Sequence, residues 1–172
     1  MNIAILGGAG IGDLLTQIPL LKKLKSTYPK SQIHLLIIKS QNKELLDRCP
    51  YINGYTELDN VYLNVLKTII KLPKYDLLIQ PFPSSKKELI LYFLIRSKKK
   101  IRYKQINSGN KKMHEIKLDI LKKINIPINN EDYKLEVFYD YNKGVINNIF
   151  KKLGITSKDF IVCIHVGARS GW

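Results

Sequence analysis

The chain has 172 residues, 45% of them hydrophobic and 25% charged, and its formal net charge at pH 7 is +15. This composition is typical of a globular protein and excludes a disordered chain, and no apolar run reaches the roughly 20 residues that cross a bilayer. The charge indicates either lysines that only solvate the surface or an anionic partner. Because nucleic-acid-binding motifs are absent, we expect an anionic lipid or glycan rather than nucleic acid.

Short apolar runs alternate with helical periodicity along the chain, which predicts βαβ units and an α/β fold with a parallel sheet. Strands are expected at 2–6, 33–38, 75–79, 101–103 and 160–165. Helices are expected at 13–28, 43–48, 61–72, 85–95, 114–124 and 141–153. Pro19 should kink the first helix or split it in two, and Gly154 should cap the last one.

The end of the sequence predicts a second domain. The strand expected at 160–165 leads into a glycine-containing turn, but no helix follows to cover it. We therefore expect residues 1–157 to form an N-terminal domain. Residues 158–172 are then the opening strand and turn of a C-terminal domain that is mostly absent.

The turn after the first strand, Gly7-Gly8-Ala9-Gly10-Ile11-Gly12-Asp13, is the first candidate site. In doubly wound folds such a turn often binds a nucleotide. The glycine spacing fits the first two positions of a dinucleotide-binding motif, but Asp13 occupies the third. Gly7 and Gly12 have the spacing of a P-loop, but Asp13 and Leu14 replace its Lys and Ser/Thr. A carboxylate here would repel a phosphate, so both motifs are excluded.

Asp13 itself has two interpretations. It can cap the helix that starts at the turn, by accepting backbone N–H groups and complementing the helix dipole. Alternatively, Gly10 and Gly12 let a bulky partner approach closely, and the carboxylate then acts as a general base toward an incoming hydroxyl. The spacing alone favours the cap.

A family resemblance extends over nearly the whole chain. The run Gly10-Ile11-Gly12-Asp13-Leu14-Leu15-Thr16-Gln17-Ile18-Pro19 resembles the opening of glycosyltransferase family 9, the ADP-heptose:lipopolysaccharide heptosyltransferases. Further matches follow in the same order at 28–30, 33–36, 49–52, 75–79, 101–103, 114–121 and 164–169. Only the first block is specific by itself, and the collinear order makes the set convincing.

The resemblance implies a GT-B architecture, in which two Rossmann-like domains face a cleft and the N-terminal one takes the acceptor. It implies transfer of a heptose or a related sugar from an ADP-sugar to an inner-core lipopolysaccharide or related glycan, with inversion. Asp13 would be the general base, with no metal and no other cofactor. A transferase of another sugar specificity and a non-catalytic fragment that binds anionic glycolipid remain alternatives, and this chain alone is expected to be inactive.

Two further groups of residues are predicted to meet the substrates. The acceptor-binding group is Gly10, Gly12, Lys98, Lys99, Lys100, Arg102, Lys111, Lys112 and His114. A solvated helix end and loop is the alternative for the basic residues, and a packed or capping role is the alternative for His114. By resemblance, the group near the donor phosphates is His165, Gly167, Arg169 and Ser170, although Val166 stands where the family more often has proline.

The cellular location follows from the N-terminus and the cysteines. No basic region precedes the short apolar run after Met1, so a signal peptide is not expected. Cys49 and Cys163 show no metal-ligand spacing and are expected to be reduced thiols. We expect a cytoplasmic protein that contacts the inner membrane peripherally.

Overall fold

The computed structural model describes residues 1–7, 10–38, 46–58, 62–81, 86–103, 111–136 and 143–156, with the backbone alone at 38, 62, 87 and 143–146. The chain folds as two units, Met1–Phe138 and Tyr139–Trp172. The described strands all belong to the first unit, and the second contains one described helix.

The first unit alternates strands and helices. Its elements are β1 (Asn2–Leu6), α1 (Ile11–Leu15), α2 (Ile18–Thr27), β2 (Gln32–Ile38), β3 (Gly54–Leu58), α3 (Tyr62–Lys71), β4 (Tyr75–Gln80), α4 (Lys86–Leu94), β5 (Ser97–Arg102) and α5 (Met113–Asp119). Two 3-10 helices follow, at Ile120–Ile124 and Asn130–Tyr133. The second unit contributes α6 (Lys143–Lys152).

The five strands form one parallel sheet in the order β3-β2-β1-β4-β5. The central strand β1 pairs with β2 from Asn2↔Gln32 to Leu6↔Leu36, and on its other side with β4. The chain winds outward from β1 to β3 and then returns to place β4 beside β1, so the strand order reverses there. Doubly wound sheets bind their ligands at this reversal, beyond the carboxyl ends of the strands. The predicted α/β fold with a Rossmann-like parallel sheet is confirmed.

Helices cover both faces of the sheet. Ile3 and Ile5 pack in one hydrophobic cluster with α2, α5 and the first 3-10 helix, whereas Ala4 and Leu6 pack in a second cluster with α3 and α4. Because neither face of β1 meets water, the strand is a continuous apolar run rather than an alternating one. This burial is why the central strands could be predicted from the sequence.

The first helix is split, as Pro19 predicts. α1 ends at Leu15, and α2 begins at Ile18 with Pro19 in its first turn. Proline lacks an N–H group and its ring clashes with the preceding turn inside a helix, whereas in a first turn no intrahelical hydrogen bond is lost. Thr16 lies in the break, and its hydroxyl donates to the carbonyl of Gly12 at 2.7 Å.

Two predictions about strands are wrong, and both concern the edges of the sheet. The sequence pattern predicts no strand at 54–58, but these residues form β3, which is half-buried over most of its length and therefore lacks a strong apolar pattern. β5 begins at Ser97 rather than at residue 101, so Lys98, Lys99 and Lys100 belong to a strand. Lysines are common on edge strands because their charge discourages pairing with another chain.

The helix of the second unit ends as predicted. Gly154 has a φ of 68°, and the N–H of Ile155 donates to the carbonyl of Phe150 at 2.8 Å, which closes the helix end with a left-handed residue. The strand expected at 160–165 and the expected domain boundary between 157 and 158 lie outside the described residues and stay predictions. In the described part of the chain, no helix is long and apolar enough to cross a membrane.

Candidate functional site

Asp13 lies in the first turn of α1, just beyond the carboxyl end of the central strand. Gly10 precedes the helix in an extended conformation, with φ −81° and ψ 156°. The carboxylate complements the helix dipole at this position, which agrees with one part of the cap interpretation. Within the described chain, however, the carboxylate accepts a hydrogen bond from a side chain of another helix and not from a backbone N–H of α1.

That partner is Lys117, on α5. Its ammonium donates to the backbone carbonyl of Asp13 at 3.0 Å and to the hydroxyl of Thr16 at 2.8 Å, and it lies 3.4 Å from Oδ1 of Asp13. The side chain of Lys117 is 0% exposed. Burial lowers the pKa of Lys117, and the Asp13 carboxylate opposes this shift because it favours the charged ammonium.

The other side of Asp13 is open. Its side chain is 46% exposed. Among the described residues, a Cβ atom added at Gly12 would meet no atom within 4 Å, and one added at Gly10 would lie 3.5 Å from Oδ2 of Asp13. The carboxylate therefore lies at a solvent-exposed surface that a bulky molecule can reach, and its enclosed side faces Lys117.

The end of β1 is tied to the same turn by Gln17. The side chain of Gln17 is buried, and its Nε2 donates to the carbonyl of Gly7 at 2.9 Å. Gly7 has a φ of 125°, a conformation that residues with a Cβ atom rarely adopt. The strand end, the break between α1 and α2, and Asp13 are thus held together by polar contacts.

The structure spreads the predicted basic residues along β5. Lys98 forms an ion pair with Asp76 at 2.7 Å near the amino ends of the strands. The ammonium of Lys100 donates to the carbonyls of Tyr92 and Phe93 at 2.9 and 2.8 Å, and burial lowers its pKa.

Arg102 is placed differently from Lys98 and Lys100. It pairs with Gln80 at the carboxyl end of β5, so it lies at the same edge of the sheet as Asp13. Its guanidinium lies 6.0 Å from the centre of the Phe93 ring. Of these basic side chains, Arg102 is thus the one whose position along its strand matches the candidate site.

The remaining predicted residues lie at the start of α5 or outside the described chain. Lys111 pairs with Asp119 at 2.5 Å, the backbone N–H of Lys112 donates to Glu115 at 3.0 Å, and His114 is half-buried in the first turn. His165, Gly167, Arg169 and Ser170 lie outside the described residues. The roles assigned to all of these residues stay predictions.

Sequence reasoning missed Lys117 and Thr16. Lys117 precedes Ile120, Leu121 and Ile124 by three, four and seven residues, so it lies on the apolar stripe of the helix that the sequence predicts at 114–124. A lysine on a stripe that faces the core is a signal that could have identified it.

Among the residues that the structure describes, no three His, Cys, Asp or Glu side chains are placed to hold a metal ion.

No protein-family model matches the sequence, and no curated protein matches it significantly. Solved structures with a similar fold exist. A glycosyl transferase family 9 protein from Veillonella parvula matches with a TM-score of 0.70 and 16% identity, over 92% of this chain and 51% of that one. The ADP-heptose LPS heptosyltransferase II of E. coli matches with a TM-score of 0.64 and 15% identity, over 91% and 52%. The E. coli heptosyltransferase WaaC with ADP matches with a TM-score of 0.62 and 11% identity, over 76% and 49%.

The chain spans about half the length of these solved structures. At such low identity, the likeness establishes the fold and not the activity. The resemblance noted in the sequence is therefore confirmed at the level of architecture: the chain has a fold found in glycosyltransferase family 9 and in heptosyltransferases.

Proposed function

We propose that the chain is the acceptor-binding half of an inverting glycosyltransferase in which Asp13 is the general base. The observation that carries the proposal is the placement of Asp13. Its carboxylate is half-exposed at the strand-order reversal of the sheet, beside the open surface over Gly12. A base that serves a large acceptor needs this combination of accessibility and support from the protein behind it.

The donor that we propose is an ADP-sugar, with heptose or a related sugar as the transferred group. Two of the similar structures support this choice, because heptosyltransferase WaaC was solved with ADP and with ADP-2-deoxy-2-fluoro heptose. The donor would bind a second domain, near the predicted residues His165, Gly167, Arg169 and Ser170. We propose no metal and no other cofactor.

The reaction is a single displacement. A hydroxyl of the acceptor gives its proton to the Asp13 carboxylate while its oxygen forms a bond to the anomeric carbon of the donor. The bond from that carbon to the phosphate oxygen breaks on the opposite side, and ADP leaves with the bonding electron pair. The configuration at the anomeric carbon is therefore inverted.

The acceptor that we propose is an inner-core lipopolysaccharide or a related anionic glycolipid. The net charge of +15 and the position of Arg102 at the Asp13 edge of the sheet support an anionic acceptor. The same proposal puts the protein in the cytoplasm, in peripheral contact with the inner membrane through its acceptor.

The test is Asp13→Asn in the whole natural protein that contains this chain, with ADP release from ADP-heptose and a lipopolysaccharide-core acceptor as the measurement. The amide keeps an oxygen that Lys117 can bond but cannot take up the proton, so kcat should fall by about 100-fold or more while the melting temperature changes little. Asp132→Asn is the matched control, because Asp132 also pairs with a lysine but lies outside the proposed site. Full turnover by Asp13→Asn would rule out the general-base role.

The same assay separates the two alternatives. Turnover with another nucleotide sugar or another acceptor indicates a GT-B transferase of different specificity. Binding of anionic glycolipid vesicles, with no ADP release from any donor, indicates a non-catalytic binding protein.

A further inference from the structure

Lys117 is a charged side chain that the protein encloses. Its side chain is 0% exposed, and the residues on either side of it in α5, Ile116 and Leu118, are buried as well. Removing an ammonium from water is costly unless acceptors replace the lost hydration. A methionine would fill a similar volume without that cost, so the presence of a charge here requires a physical reason.

The reason lies in what the ammonium contacts. With the described residues, the ammonium makes two short contacts, to the hydroxyl of Thr16 at 2.8 Å and to the backbone carbonyl of Asp13 at 3.0 Å, and a longer one to Oδ1 of Asp13 at 3.4 Å. Lys117 therefore contacts Asp13 at both its backbone and its carboxylate. Thr16 extends the contact, because its own hydroxyl donates to the carbonyl of Gly12 at 2.7 Å.

We infer that Lys117 is the positioning residue for Asp13, which holds Oδ1 toward the protein so that Oδ2 faces the acceptor. The inference rests on the proposed role of Asp13 as the base. The contact to Oδ1 is longer than an ordinary charge-assisted hydrogen bond, so it orients the carboxylate without occupying it fully. The acceptor approaches from the exposed side, and the ammonium acts from the buried side.

A purely structural lysine predicts the opposite set of effects. If Lys117 only tied α5 to α1, its loss would lower stability and leave kcat unchanged. A positioning lysine predicts that Lys117→Met changes the melting temperature little, because the Asp13 side chain that loses its partner is 46% exposed and can be hydrated. It also predicts that kcat falls, because the carboxylate is free to rotate.

The experiment compares Lys117→Met with Lys23→Met in the whole natural protein. We expect kcat of Lys117→Met to fall by about 10- to 100-fold with little change in KM for the donor. Lys23→Met is the matched control: its ammonium bonds Asp132 at 2.8 Å with 14% of the side chain exposed, so it removes a similar ion pair elsewhere.

A second pair of variants decides the question if Lys117→Met does not fold. Thr16→Val removes the hydroxyl that Lys117 bonds, and Thr16→Ser keeps it. A kcat reduced about fivefold in Thr16→Val and restored in Thr16→Ser supports the inference, since one lost hydrogen bond has an effect of that size. Equal kcat values for the two variants overturn it.

Failure of the inference and failure of the proposed function give different results. An inactive Asp13→Asn together with a fully active Lys117→Met overturns the positioning role alone, whereas full activity in both overturns the general base as well. The pairing can also be measured without turnover, by following the NMR chemical shift of the Lys117 Cε carbon as the pH is raised through the pKa of its ammonium. The pKa of Lys117 should fall in Asp13→Asn because the carboxylate that raises it is gone, and an unchanged titration overturns the pairing.

Discussion

The edge strand β5 and the helix α5 both carry lysines, but in opposite environments. On β5, the side chain of Lys98 is 68% exposed and pairs with Asp76. On α5, the side chain of Lys117 is 0% exposed and pairs with Asp13. Water and salt screen the first pair, whereas the protein screens the second far less. The density of lysines in a sequence therefore shows where positive charge is concentrated. Burial, which the tertiary structure sets, determines which single charge has the largest effect.

Charge reversal should produce the largest difference between the two regions. Lys117→Glu would direct a carboxylate at the carbonyl and carboxylate oxygens of Asp13, and we expect it to lower the free energy of unfolding by about 3 to 5 kcal/mol. Lys98→Glu should change that free energy little, because the position is exposed and screened. Urea unfolding at pH 7 measures both. Equal stabilities of the two variants would contradict the contrast between a buried and an exposed lysine.

Neutralising the three lysines of β5 should have a smaller effect, mainly on binding, because Lys98 and Lys99 are exposed. Replacing residues 98–100 by glutamine should weaken binding to anionic glycolipid vesicles by about fivefold per lysine that reaches the headgroups, and less at high salt. The control replaces Lys25, Lys30 and Lys134, which removes the same charge elsewhere on the chain. If both triple variants bind equally, then only net charge matters and β5 is not an acceptor-binding surface.

The Lys23–Asp132 pair is intermediate in exposure, with 14% and 22% of its side chains exposed. Neutralising it should have the smallest of the three effects, because no like charges are brought together. Burial would raise the pKa of Asp132, but the backbone N–H of Asn129 and the ammonium of Lys23 lower it below its usual 3.8. A carboxyl with a depressed pKa stabilises the folded state above its unfolded pKa, and this contribution is lost as the pH falls through the folded value.

Asp132→Asn should therefore cost about 1 kcal/mol or less at pH 7 and nothing at a pH below the lowered pKa. The measurement is urea unfolding of the wild type and the variant across that pH range. A difference in stability that persists at the lowest pH would show that lost packing, and not the charge pair, is responsible.

The interior of the sheet could be predicted from the sequence, and its edges could not. β1, β2 and β4 are apolar runs because both of their faces are covered, and Pro19 marks the split between α1 and α2 by its own chemistry. β3 and the first half of β5 escaped prediction because an edge strand is only partly buried. Their side chains contact solvent as much as the core, so they show no strong apolar pattern.

The candidate site divides in the same way. The sequence by itself determined that a carboxylate, Asp13, follows a glycine turn at the end of the first strand, because strand, turn and helix start are local patterns. Only the tertiary structure decided that Lys117, 104 residues further along, meets that carboxylate from the buried side. A pair so distant in sequence depends on how α5 packs against the first helices, and no local pattern encodes that packing.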